Sequence, residues 1–142
     1  MTSAKATSID DPRVRAVIER ETTLVLATTA GDGAAIATPL FYYPDADLNL
    51  YWLSSPDSRH SRNLSERPRV ATAIYSPVTD WKEIRGVQME GLASATSDSN
   101  ILAAYRRRFS LGPELDAIIA HSTMYVFRPS WCRYVGGLKA DG

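Results

Sequence analysis

Residues 22–54 read TTLVLATTAGDGAAIATPLFYYPDADLNLYWLS, and this stretch decides the fold class. TTLVLATT is dense in β-branched and aliphatic residues, and Gly31-Asp32-Gly33 supplies the positive-φ positions that a tight hairpin needs. The returning strand, AAIATPLFYY, contains Pro39. Proline cannot donate to a ladder, so this position must be a sheet edge, a bulge, or backbone left open for something else. Pro44-Asp45-Ala46-Asp47 makes the next turn and LNLYWLS a third strand, which gives a meander of three hairpin-linked strands.

Working outward, Asp11 is a helix N-cap, Pro12 suits the first helical position, and Val14, Val17 and Ile18 recur at i, i+3, i+4. The spacing predicts a short amphipathic helix over 12–20, behind a loose, small and polar tail of residues 1–10. On the other side, a helix over 58–66 must stop before Pro68, because a residue preceding proline avoids the helical region, and a strand resumes at Arg69. IRGVQMEGLASA reads as a long strand with Gly86 and Gly91 at bulges or close backbone approaches. Ser97 is expected to cap a further helix whose Ile101, Leu102, Tyr105 and Phe109 share one face. Gly112-Pro113 breaks it, ELDAIIAH is a short helical stretch, and TMYVFRPSWCRYV is the last strand. Six strands with helices inserted at three places do not fit a doubly wound parallel sheet. The reading is a mainly β (α+β) protein: one six-stranded, mainly antiparallel barrel with a few short helices, over residues 11–138.

Composition agrees. A chain of 142 residues with 44% hydrophobic and 23% charged residues has room for one ordinary core. Sixteen basic against sixteen acidic residues remove the bulk charge expected of a protein living on nucleic acid or anionic membrane. A lone Cys132 makes neither an internal disulfide nor a cysteine metal site, which points to an intracellular, cytoplasmic protein without a metal. The N-terminus lacks the apolar core of a secretory signal, and no run is long enough for a membrane span.

Chemistry concentrates where Tyr51-Trp52-Leu53-Ser54 leads into Ser58-Arg59-His60. A helix start offers unpaired amides and positive potential, and here a hydroxyl, a guanidinium and an imidazole stand in its first turn, which is the donor set for a phosphate. The plain alternative is an ordinary N-cap with two solvated side chains. Arg106, Arg107 and Arg108 either bind a second anion or acidic partner, or simply complement a helix C-terminus. Trp81 reads equally as a lid or as a hydrophobic plug. Alternation puts Trp131 and Arg133 on one face of the last strand and Cys132 and Tyr134 on the other, where packing is expected for Cys132. No pair of carboxylates is placed for acid/base catalysis.

The order of these segments, from the hairpin and the ATPL strand through YWLS and SRHSRNLSERPRVATAIY to IRGVQMEG, resembles the pyridoxamine 5'-phosphate oxidase-like family of split β-barrels. The similarity covers about residues 12–136 and is carried most specifically by Ser58, Asn63, Leu64, Pro68, Arg69, Val70 and Ala71 in combination. Within that family the sequence looks closest to a small bacterial branch with R-H where R-K is commoner. The resemblance implies an FMN-binding homodimer with cofactor sites at the subunit interface. In it, Ser58, Arg59 and His60 hold the FMN phosphate, and Thr38, Pro39 and Leu40 lie on the strand whose backbone faces the isoalloxazine. Trp52, Leu53 and Ser54 line flavin and phosphate, and Gln88 approaches from the second subunit. His60 in place of lysine makes one positive charge pH-dependent, with FMN expected to loosen as the imidazole deprotonates. The chain ends soon after Gly136, without the C-terminal Arg and His that the true oxidase uses on its substrate, so oxidation of pyridoxamine phosphate is not expected. The implied function is a small flavin-dependent oxidoreductase of unknown substrate. The alternatives are a non-catalytic module for flavin, haem or deazaflavin, and a cofactor-free structural barrel.

Overall fold

In the computed structural model, which describes residues 5–137, the first helix starts where Asp11 accepts the Arg13 amide and Pro12 takes the first helical position. This helix, α1 (Pro12–Arg20), buries Val14, Val17 and Ile18, the stripe its spacing predicts. β1 (Thr23–Thr29) and β2 (Ala35–Phe41) form the hairpin, and at its tip Gly33 takes φ +88°, a left-handed conformation that favours glycine. There follow β3 (Tyr43–Pro44), β4 (Leu50–Ser54), α2 (Arg59–Glu66), β5 (Arg69–Tyr75), β6 (Gly86–Thr96), α3 (Ser99–Arg108), α4 (Asp116–Ala120) and β7 (Thr123–Val135).

All seven strands belong to one curled sheet in the order β2-β1-β5-β6-β7-β4-β3, and every pairing is antiparallel. The expected split barrel is therefore present with one strand more than the six predicted. The extra strand is the two-residue β3, too short to show a period in the sequence. Its position explains the architecture: β2 and β3 are consecutive in the chain yet occupy the two edges of the sheet, so the sheet curls until Tyr42 alone spans them. Tyr42 is fully buried, and its hydroxyl donates to the Ile18 carbonyl at 2.6 Å. Pro39 pairs with Val25 on the edge strand, which resolves the proline as an edge residue.

Inside the barrel, α1 and α2 contribute Val14, Val17, Ile18 and Leu64 to a core with Leu24, Leu26, Leu50, Trp52, Met89 and Phe127. Gly91 marks a register shift in the β6–β7 pairing, where it stands opposite Pro129. A Cβ there would lie 2.1 Å from the Arg128 carbonyl oxygen, so the close approach requires glycine. Two sequence expectations change. Asp98, not Ser97, caps α3, its carboxylate accepting the Asn100 and Ile101 amides, each at 3.0 Å. Within the expected loose tail, of which residues 1–4 lie outside the described residues, Thr7 donates its amide to the Cys132 carbonyl at 2.8 Å, and its hydroxyl accepts the Tyr134 amide. Position 138 likewise lies outside the described residues.

The outer face of the sheet carries a patch of alanines, Ala27, Ala37, Ala71 and Ala73, beside larger residues. One cross-strand row runs Pro39, Val25, Ala73, Gln88 and Arg133, and the next Ala37, Ala27, Ala71, Glu90 and Trp131. Exposed Phe41, Tyr75 and Leu92 flank these rows. Among the described residues no helix is long and apolar enough to cross a membrane, and no cluster of three or more His, Cys, Asp or Glu is arranged for a metal.

Candidate functional site

The end of β4 and the start of α2 meet through hydroxyls. Ser58 caps α2, accepting the Ser61 amide at 3.4 Å, donating to the Ser55 carbonyl at 2.8 Å and sharing a 2.7 Å hydrogen bond with Ser61 Oγ. His60 turns back onto this group, with Nε2 2.8 Å from Ser54 Oγ and 3.3 Å from Ser58 Oγ. Burial pushes its pKa below the ordinary histidine value, because the half-buried ring loses solvation of its cation. The pH-dependent positive charge expected here is thus displaced to more acidic pH, and near neutrality the imidazole is an uncharged brace between Ser54 and Ser58.

Arg59 stays outside this hydrogen-bonded group. Its side chain is exposed and makes no hydrogen bond or ion pair among the described residues, which leaves its five donors available at a capped helix start. The next turn fixes the helix itself. Asn63 is buried, and its Nδ2 donates to Thr28 Oγ1 of β1 at 3.1 Å, while Leu64 enters the core. At the helix end, Arg67 Nε donates to the Thr29 carbonyl at 2.7 Å. The motif residues Asn63 and Leu64 are therefore the anchor that holds the Ser58-Arg59-His60 turn at the rim of the barrel.

Of the other sequence-predicted site residues, Ser54 joins this cluster directly. The Trp52 side chain lies in the core with its ring stacked on Tyr125, centroids 6.2 Å apart, so its indole does not line an open site; its Nε1 is buried without a partner. Leu53 faces the opposite side of β4 from Trp52 and Ser54, against Tyr51, Met124 and Val126. Thr38 and Leu40 stand on the inner face of β2 and Pro39 on its outer face. Gln88 is exposed on the outer face of the sheet, the side away from Thr28 and α2. One protomer thus assembles Ser54, Ser58, Arg59 and His60, and leaves Gln88 apart from them.

The arginine run is largely structural. Arg106 donates to the Leu111 and Gly112 carbonyls and pairs with Asp116 at 2.7 Å. Arg108 donates to the Glu21 carbonyl and lies over the Tyr42 and Phe109 rings, tying α3 to the segment that closes the barrel. Trp81 is 68% exposed, neither lid nor plug within the protomer. Sequence reasoning missed the Asn63–Thr28 anchor and the alanine patch of the outer face. The available signal for the face was the alternation in RVATAIY, where Ala71 and Ala73 fall between buried residues.

The family profile described as pyridoxamine 5'-phosphate oxidase matches residues 10–136, nearly the whole chain. The chain belongs to that family. Members of the pyridoxamine 5'-phosphate oxidase family commonly bind flavins and are commonly dimeric. A search of curated proteins finds no match. Among solved structures, the heme binding protein from Mycobacterium smegmatis is similar at TM-score 0.76 and 22% identity over 96% of this chain, which spans 57% of that one. HutZ, the heme storage protein from Vibrio cholerae, is similar at TM-score 0.74 and 19% identity, with 91% of this chain and 97% of that one covered. An F420 reductase is similar at TM-score 0.70 and 21% identity, with coverages of 84% and 94%. At these identities the likeness concerns the fold alone.

Proposed function

We propose that this chain is an FMN-binding oxidoreductase working as a homodimer, with the FMN phosphate at the start of α2. The observation that carries the reading is an exposed Arg59 without a hydrogen-bond or ion-pair partner among the described residues, in the first turn of a helix capped by Ser58. This donor set fits a phosphate: one fixed positive charge and the first amides of an eight-residue helix, with the Ser54 hydroxyl at its foot. His60 contributes by holding Ser54 and Ser58 in place. When bound, the flavin supplies the hydride chemistry, and the protein supplies orientation and electrostatics. The backbone of Thr38, Pro39 and Leu40 on the open edge of β2 would face the ring.

The family's commonly dimeric state lets a second copy supply the other wall of the site. The alanine patch of the outer face through Ala27, Ala37, Ala71 and Ala73, flanked by exposed Phe41 and Tyr75, supports pairing through the sheet. In that pairing Gln88, apart from α2 in its own protomer, would reach the partner's cofactor. Light scattering at micromolar concentration should give a dimer, and Ala71→Arg should give a monomer that no longer binds FMN.

The phosphate assignment is tested with Arg59→Ala, titrated with FMN and with riboflavin, which lacks the phosphate. FMN affinity should fall by roughly 1.5–3 kcal/mol, the range for a hydrogen bond to a charged group, with riboflavin nearly unchanged. Equal losses for both ligands would withdraw the assignment. A second reading, haem binding, is favoured by two of the structural neighbours and by His121, whose Nδ1 bonds the Ala117 carbonyl at 2.7 Å and leaves Nε2 open at the surface. A visible spectrum separates the two, because a flavin gives its two-banded absorption and haem a Soret band.

A further inference from the structure

We infer that the hollow between β4, β7 and the α3–α4 arm is a second binding site, for a small apolar molecule carrying an amine. The cross-strand register sets Leu53 opposite Met124 and Met124 opposite Thr96, on the face of the sheet that Ser54 and Trp52 do not share. Helix α3 covers the neighbouring part of this face, where Ile101 and Leu102 pack on Tyr51, Met124 and Val126. Beyond Leu102 the cover is incomplete. A cavity of about 470 Å³ remains, floored by Leu53 and Met124 and walled by Leu102 and Ile119. That is the size of a small-molecule pocket and larger than a packing defect.

Its rim sets the polarity of the occupant. No lysine, arginine or histidine lines the hollow, and its one charged group is Asp98. Both α3 amides that Asp98 accepts go to Oδ1, which leaves Oδ2 without a partner among the described residues. Ser97 and Ser99, the chain neighbours of Asp98, also line the hollow. An anion placed there would meet a carboxylate and no cation. An ammonium group would meet that carboxylate while its apolar body covers Leu53, Leu102, Ile119 and Met124, so charge and apolar area favour the same ligand. The site does not depend on the phosphate reading, because Leu53 and Ser54 face opposite sides of β4 and an occupant of the hollow touches neither Arg59 nor His60.

The test uses the full chain without flavin, labelled with ¹⁵N and titrated with 2-phenylethylamine, 2-phenylethanol and 3-phenylpropionate in turn. Amide shifts should concentrate at Leu53, at 97–102 and at 123–124, and the amine should bind more tightly than the alcohol, with the carboxylate weakest. Asp98→Asn keeps a side chain that caps helices well but removes the charge, and should weaken the amine by about 5- to 10-fold while leaving the alcohol unchanged. Ile119→Trp, which fills the hollow from a half-exposed position, should abolish all three. The proposal is overturned if the carboxylate binds as well as the amine, if Asp98→Asn leaves the amine unaffected, or if the shifts map elsewhere. The wild-type comparison of the three ligands decides the matter even where a variant fails to fold. FMN titration of the same samples reports separately on the α2 site.

Discussion

Replacing Asn63 with alanine removes the fully buried side-chain hydrogen bond between α2 and β1. Asn63 is 7% exposed, its partner Thr28 is 2% exposed, and Nδ2 donates to Oγ1 at 3.1 Å. A hydrogen bond of this kind contributes about 0.5–1.5 kcal/mol net, and a buried group left without its partner costs about 1–3 kcal/mol. Thr28 Oγ1 loses its donor but is a single neutral acceptor, so the expected loss is about 2 kcal/mol. For a chain of this size that lowers Tm by roughly 8 °C. Urea unfolding followed by far-UV circular dichroism measures it. The stronger form is a cycle with Thr28→Val and Asn63→Leu. Each alone strands one polar group, whereas the double variant strands neither, so the pair should cost about 1 kcal/mol less than the sum of the singles. A loss below about 0.5 kcal/mol for Asn63→Ala, or additive behaviour in the cycle, would show that Asn63 does not anchor the candidate site.

Four further outcomes follow from the geometry. Since burial places the folded pKa of His60 below its ordinary 6.5, the unfolded chain takes up the proton first on acidification. His60's contribution to stability is therefore fully present above that value and is lost as pH falls through the folded pKa; His60→Gln should flatten this acid limb in urea midpoints measured against pH. By the same sign, FMN affinity above pH 6.5 should show little dependence attributable to His60. Gly91→Ala should destabilise by about 2 kcal/mol or more, because the added methyl meets the Arg128 carbonyl and the register shift has nowhere to move; a thermal melt reads it. The Cys132 thiol, buried and pushed up to about 11, should resist iodoacetamide at pH 8 in native protein and react only as fast as the chain unfolds.

Much of the architecture was legible in the residues themselves, because its determinants are local. The stripe Val14, Val17 and Ile18 with its Asp11 cap predicts α1, and Ser58 with Pro68 brackets α2 to within a residue. Pro39 narrows its position to an edge, a bulge or open backbone, and the strand order makes it an edge. Where two caps competed at the start of α3, the carboxylate of Asp98 prevailed over the Ser97 hydroxyl, a choice that depends on one residue of backbone register. The chemistry of the α2 turn was also local, since Ser58, Arg59 and His60 are adjacent in the chain.

What the tertiary structure decided is everything that depends on faces and on partners distant in sequence. That His60 turns inward to Ser54 and loses its charge, while Arg59 alone stays free, follows from how α2 sits over the end of β4. That Trp52 is core and Leu53 borders a hollow follows from the parity of β4 in the curled sheet, which no reading of YWLS could assign without its neighbours. Asn63 has meaning only opposite Thr28, 35 residues earlier, and Ala27, Ala37, Ala71 and Ala73 become one surface only when three strands are set side by side. Local periodicity and capping act within a few residues and are written along the chain. Burial, charge state and shared surface are properties of pairs that the fold alone brings together.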